Sequence, residues 1–88
     1  MIMNINELID TIKKKISSKL TIDEISIEDK TYLHLKHKNF QKNKFHIKIF
    51  IKSKDLANIS KIHSTKIIYK ILELELKKYI HSIQIVLK

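Results

Sequence analysis

Apolar residues along this chain change their spacing several times, and each change marks an element boundary. Ile5, Leu8, Ile9, Ile12 and Ile16 recur at helical intervals. Asn4 precedes them as an N-cap, and Glu7 stands three residues on, where it can close a capping box. The pattern predicts a helix from about Asn4 to Ser18. Ile25 and Ile27 then alternate with Ser26 and Glu28, predicting a first strand from about Glu24 to Thr31. Between Thr31 and Lys44 the pattern dissolves into Tyr32, His34, His37, Phe40 and polar residues, which reads as a loop. Phe45, Ile47, Ile49 and Ile51 alternate with Lys44, His46, Lys48, Phe50 and Lys52, the pattern of a half-buried strand with a basic outer face.

Asp55-Leu56-Ala57-Asn58 reads as a short helical turn capped by Asp55, with Asn58 suited to a left-handed end, and Ser60 or Ser64 caps a longer helix. Ile67, Ile68, Ile71, Leu72, Leu74, Leu76 and Tyr79 make the wide apolar face of that helix. At His81 the period falls to two, with Ile83, Ile85 and Leu87 on one side and Ser82, Gln84, Val86 and Lys88 on the other. The expected fold is α+β, a single domain over residues 1–88 with the order helix, strand, strand, short helix, helix, strand. The first two strands are expected to be antiparallel. A third strand reached through a helical crossover should lie parallel to the second. The result is a three-stranded mixed sheet with its helices on one face. The long connection between the first two strands suggests a working loop.

Composition narrows the chemistry. A chain of 88 residues buries a thin core, so its functional groups belong at the edges and not in an enclosed cavity. All 18 basic residues are lysine against 9 acidic ones, giving a net charge of +9. That balance suits anionic partners. It also suits a genome of skewed base composition, since lysine and isoleucine are over-used while Gly, Pro, Cys and Trp are absent. The absence of cysteine excludes disulfides and thiolate ligands of the chain's own, so a metal or cluster would need His, Asp or Glu, or a partner that brings sulfur. Met1-Ile2-Met3-Asn4 has no signal-peptide character and no stretch has the length of a membrane span, so a soluble cytoplasmic protein is expected.

His81 stands where a helix hands over to a strand, a place held from both sides yet reachable from solvent. A histidine there caps the last helix carbonyls, fills the rim, or serves as a ligand. His34 and His37 are loop residues within reach of it if the loop packs beside the last strand. His46 alternates with the apolar row of its strand and is expected to face outward, solvated or hydrogen-bonded. For nucleic acid the candidates are Lys44, Lys48 and Lys52 with Phe50 on the open strand face, or Lys66, Lys70, Lys77 and Lys78 on the long helix. Lys13, Lys14, Lys15 and Lys19 read as a solvated helix end suited to the macrodipole. Catalysis has the least support: no nucleophile–base arrangement is defensible from spacing, and Glu73 and Glu75 do not face each other on a helix. We expect no enzyme.

The element order, together with Asp29-Lys30-Thr31-Tyr32-Leu33-His34, His34-Leu35-Lys36-His37, His46-Ile47-Lys48-Ile49, Tyr69-Lys70-Ile71-Leu72 and Ile80-His81-Ser82-Ile83, resembles the BolA family over about Ile25 to Leu87. The resemblance implies a KH-like αββααβ fold of type II topology without a GxxG loop. It also implies a monothiol glutaredoxin as partner, with a bridging 2Fe-2S cluster serving iron–sulfur trafficking or iron sensing. By position, His81 would be one ligand, and His34 or His37 the loop ligand. The glutaredoxin and its glutathione would supply thiolates, a mixed His and Cys ligation known for such clusters. The isolated chain is then expected to be a cofactor-free monomer. Some BolA proteins are DNA-binding transcriptional regulators, which makes DNA the alternative partner. The chain departs from the family in carrying Ser64-Thr65 where an Arg-His pair is usual, Lys36 and Asn58 in place of glycines, and Ile47 in place of a phenylalanine.

Overall fold

The computed structural model describes residues 3–31 and 44–88. Its elements are α1 (Ile5–Lys19), β1 (Ile22–Asp29), β2 (Phe45–Ser53), α2 (Lys61–Ile71), α3 (Glu73–Lys78) and β3 (Ile80–Leu87). Among them the sheet order is β1-β2-β3, with β1 antiparallel to β2 and β3 parallel to β2. This is the expected mixed sheet. Ile47, Ile49 and Ile51 of the central strand are buried together with Leu8, Ile12 and Ile16 of α1, Ile68, Leu72, Ile80 and Ile85 in one apolar core. Alternation along β2 therefore turns Lys48, Phe50 and Lys52 away from that core.

The start of α1 is capped as the sequence suggests. The Asn4 side chain accepts from the Glu7 backbone N–H at 2.8 Å, while its amide donates to the Glu7 carboxylate at 2.6 Å. The reciprocal contact thus runs between side chains. At the other end, Lys15 is not part of a freely solvated lysine cluster. Its ammonium lies 2.7 and 3.0 Å from the two oxygens of Glu75, a carboxylate only 2 % exposed on α3.

Several boundaries differ from the expected ones. The first strand begins and ends two residues earlier. The Thr21 N–H donates to the Asp55 carboxylate at 2.6 Å, fixing the chain just before Ile22, which pairs with Ser53. At the far end, Asp29 accepts from the Thr31 N–H at 3.0 Å and turns the chain out of the ladder. The expected short helix over Asp55–Asn58 is a hydrogen-bonded turn. The Ser53 carbonyl accepts from Leu56 N–H at 3.2 Å and the Leu56 carbonyl from Ile59 N–H at 3.4 Å. Asp55 spends its carboxylate on Thr21 instead of capping its own turn, and no described residue has a positive φ, so Asn58 forms no left-handed end. The second helix of the αββααβ order comes from dividing the long one. Leu72 (φ −98°, ψ 17°) ends α2, and α3 begins at the next residue.

Ser60, and not Ser64, caps α2, accepting from the His63 N–H at 3.1 Å. Ser64 lies fully buried inside the helix, and its hydroxyl has no hydrogen-bond partner among the described residues. A buried hydroxyl without a partner is costly, and alanine is the better helix former. Ser64→Ala should therefore raise stability by about 1 kcal/mol in urea unfolding; a loss of similar size would mean the hydroxyl is bonded.

Candidate functional site

The site is built where α3 runs into β3. The Tyr79 N–H closes the helix on the Glu75 carbonyl at 2.8 Å, and the Tyr79 carbonyl accepts from the Phe45 N–H at 2.8 Å. These two bonds tie the end of the helix to the first residue of the central strand. Ile80, buried, then pairs with Phe45. At the next step the register slips, because His46 pairs with Ser82 and not with His81. His81 is the extra residue of a bulge, left opposite nothing and exposed. Bulges of this kind re-aim a side chain at the end of a sheet.

Beneath it sits His46, only 5 % exposed. The two imidazole rings are 4.8 Å apart between centroids and inclined by 53°. The His46 Nδ1 lies 2.6 Å from the Ser82 hydroxyl, and its backbone is held on the other side, the N–H donating to the Thr31 hydroxyl at 3.2 Å and the carbonyl accepting from the Lys30 N–H at 2.7 Å. Of the two states expected for His46, solvated or hydrogen-bonded, the structure shows the second, and it corrects only the exposure: the ring is buried. Period two places it on the face opposite Ile47 and Ile49, but the slipped register brings His81 and Ser82 over it. His46 and Ser82 support the exposed imidazole, and neither could have been found from spacing within one strand.

The loop histidines His34 and His37, with Tyr32, lie outside the described residues. The residues on either side of that segment do not. The chain leaves at Thr31, bonded to His46, and returns at Lys44, whose ammonium donates to the Lys77 carbonyl at 3.3 Å. Both are at the end of the sheet that carries His81. A cavity of about 450 Å³ beside the His46 ring is lined by Lys30, His46, Lys48, Ser82 and Gln84 among others. Among the described residues no three His, Cys, Asp or Glu side chains gather in a way that would hold a metal ion, and His81 stands as an exposed imidazole at the end of the sheet.

The nucleic-acid candidates do not form one patch. Lys48, Phe50 and Lys52 occupy the open face of the sheet, with the Lys48 and Lys88 ammonium groups 5.0 and 5.8 Å from the Phe50 ring centre. Across the antiparallel ladder, however, Lys48 faces Glu28 and Lys52 faces Glu24. Lys30 bonds Glu28 at 2.7 Å and, helped by Lys48, holds its carboxyl below the ordinary value. Lys66 and Lys70 are exposed on α2, in the helix layer on the other side of the sheet. Lys44 is engaged at the end of α3. His63 is exposed on α2, far in sequence and element from the imidazole pair.

The fold is shared with several solved structures. The BolA domain of SufE1 from Arabidopsis thaliana superposes with a TM-score of 0.82 at 27% identity, covering 97% of this chain and 94% of that one. BolA1 from Arabidopsis thaliana gives 0.75 at 25% identity, covering 91% and 88%. A bol-like protein from Babesia bovis gives 0.69 at 11% identity over 90% and 80%, a likeness of fold alone. No curated protein sequence matches the chain. The sequence profile for BolA-like protein matches residues 16–88, from the last turns of α1 through both histidines to the end of β3, and this chain therefore belongs to the BolA-like family.

Proposed function

We propose that this protein is a non-enzymatic adaptor that docks on a monothiol glutaredoxin and lends His81, with His34 or His37, to a shared 2Fe-2S cluster in iron–sulfur trafficking or iron sensing. The observation that carries the reading is the bulge at His81. An exposed imidazole stands at the sheet's end, supported by a buried ring 4.8 Å away, on the same edge where the histidine-bearing loop leaves and returns. The donor set agrees with it. A chain without cysteine supplies imidazole nitrogen or carboxylate oxygen but no thiolate, so the thiolate ligands must come from outside. When bound, the cluster would supply electron-transfer or iron-donating chemistry. The chain's own part is to hold one imidazole at an open edge and to fix its angle through His46 and Ser82.

The test is to mix the full chain with a monothiol glutaredoxin, glutathione, iron and sulfide under anaerobic conditions and record the visible absorption and circular dichroism. The expected spectrum differs from that of the glutaredoxin homodimer and reverts to it in His81→Ala. A His81→Ala mixture indistinguishable from the native one would remove the assignment. His34→Ala and His37→Ala, compared in the same assay, identify the loop ligand. Acidification should bleach the mixed spectrum, since protons compete with iron for imidazole nitrogen.

The alternative, a DNA-binding regulator using Lys44, Lys48, Phe50, Lys52, Lys66 and Lys70, has less support. Its lysines are divided between two faces, and those on the sheet stand opposite carboxylates. It predicts sequence-selective binding with a steep salt dependence.

A further inference from the structure

A further cavity lies away from the histidines. It is a groove of about 540 Å³ between the C-terminal turns of α1 and the C-terminal half of α2. Its floor is aliphatic, made by the half-buried side chains of Leu20, Ile67 and Ile71, and its rim carries Lys15, Lys19 and Lys70. Lys15 is neutralised by Glu75. Lys19 and Lys70 are exposed and have no ion-pair partner among the described residues. The groove therefore presents an apolar strip with unopposed positive charge at its edges.

We propose that this groove docks an acidic amphipathic helix of a partner protein, aliphatic anchors on Leu20, Ile67 and Ile71 and carboxylates against Lys19 and Lys70. Charge complementarity selects the occupant: the rim is cationic on a chain of net charge +9, and rim charges set the partner and the rate of encounter. Shape selects a helix over a small amphiphile. Small ligands bury most of their surface in their pockets, whereas two helices and three half-buried side chains cover one side of an occupant only. A helix laid in a groove needs no more than that, since its anchors lie on one face. The groove's Ser18–Leu20 edge leads into Ile22, which pairs with Ser53 at the end of the sheet opposite the Phe45–Ile80 pair and His81. A partner seated here leaves His81 open, so this surface is independent of the cluster reading.

The experiment uses the full, isotope-labelled chain and a fluorescein-labelled helical peptide with leucines at i, i+4 and i+7 flanked by glutamates. Anisotropy should show saturable binding, and NMR should place the largest shifts at Leu20, Ile67 and Ile71 with His81 unmoved. Lys19→Glu/Lys70→Glu should weaken binding about tenfold. Lys61→Glu/Lys66→Glu, which changes the net charge equally on the outer face of α2, should change it less than about twofold. Equal weakening by both pairs would reduce the interaction to general lysine attraction and overturn the proposal. So would shifts centred elsewhere, or equal binding of a peptide with lysines in place of the glutamates. Decanoate that moves the same amides and displaces the peptide would replace it with an amphiphile site.

Discussion

Lys15→Ala is expected to lower stability by about 3 kcal/mol, a fall of roughly 15 °C in Tm for a domain of this size. The reason lies in the asymmetry of the Lys15–Glu75 pair. The carboxylate is 2 % exposed and the lysine side chain 37 %. Removing the lysine leaves a negative charge inside the protein with its counter-ion gone, and the interior cannot hydrate it. Removing the acid is milder, because the freed ammonium already reaches solvent, so Glu75→Gln should cost clearly less than Lys15→Ala. Replacing both with apolar residues, Lys15→Met with Glu75→Leu, should recover most of the loss, since a buried ion pair is rarely worth more than well-packed hydrocarbon. Differential scanning calorimetry on the four proteins checks the series. A Lys15→Ala Tm within two or three degrees of native would mean that Glu75 is solvated after all.

Leu72→Ala is expected to cost about 3–4 kcal/mol. Leu72 is fully buried and forms the joint between α2 and α3, its N–H bonded to the Ile68 carbonyl at 3.0 Å and its carbonyl to the Leu76 N–H at 2.8 Å. Truncation opens a cavity where two helices and the sheet meet, and neighbours pinned by those bonds have little freedom to collapse into it. Leu74, two residues on, is 48 % exposed, so Leu74→Ala removes the same atoms from a site already near water and should cost less than about 1 kcal/mol. Urea unfolding of both variants, with unchanged slope, separates the two cases. Comparable losses would show that Leu72 is not a tightly packed joint. Because α3 leads through Tyr79 and Ile80 to His81, Leu72→Ala should also perturb the His81 amide, and Leu74→Ala should not.

How far the chain could be read beforehand depended on whether a feature repeats along it. β2 was visible in full, because Phe45, Ile47, Ile49 and Ile51 alternate without a fault, and α1 because its apolar positions and Asn4 agree. The division of the long helix was invisible for the same reason. Ser64, Ile68, Leu72 and Glu75 succeed one another at intervals of four, four and three, so the buried stripe runs through the break in phase. Glu75 shows the limit most plainly: it occupies a core position of that stripe, yet only its meeting with Lys15, sixty residues away, makes a carboxylate tolerable there. His81 was legible as a junction residue, since the period changes at it. His46 was not legible as its support, since that depends on a one-residue slip between strands that are distant in sequence.

Taken alone, the sequence determined the succession of helix, two strands, helical region and strand, the mixed sheet, the inward row of β2 and the absence of any thiolate ligand, because each arises from periodicity, connection or composition. Tertiary structure decided what stands opposite what: Lys15 against Glu75, Glu24 and Glu28 against the sheet lysines, His46 beneath His81, and the groove between α1 and α2. Pairings of that kind depend on register and on long-range packing, where one residue of slip reverses a side chain's surroundings. No pattern within a single segment carries that information.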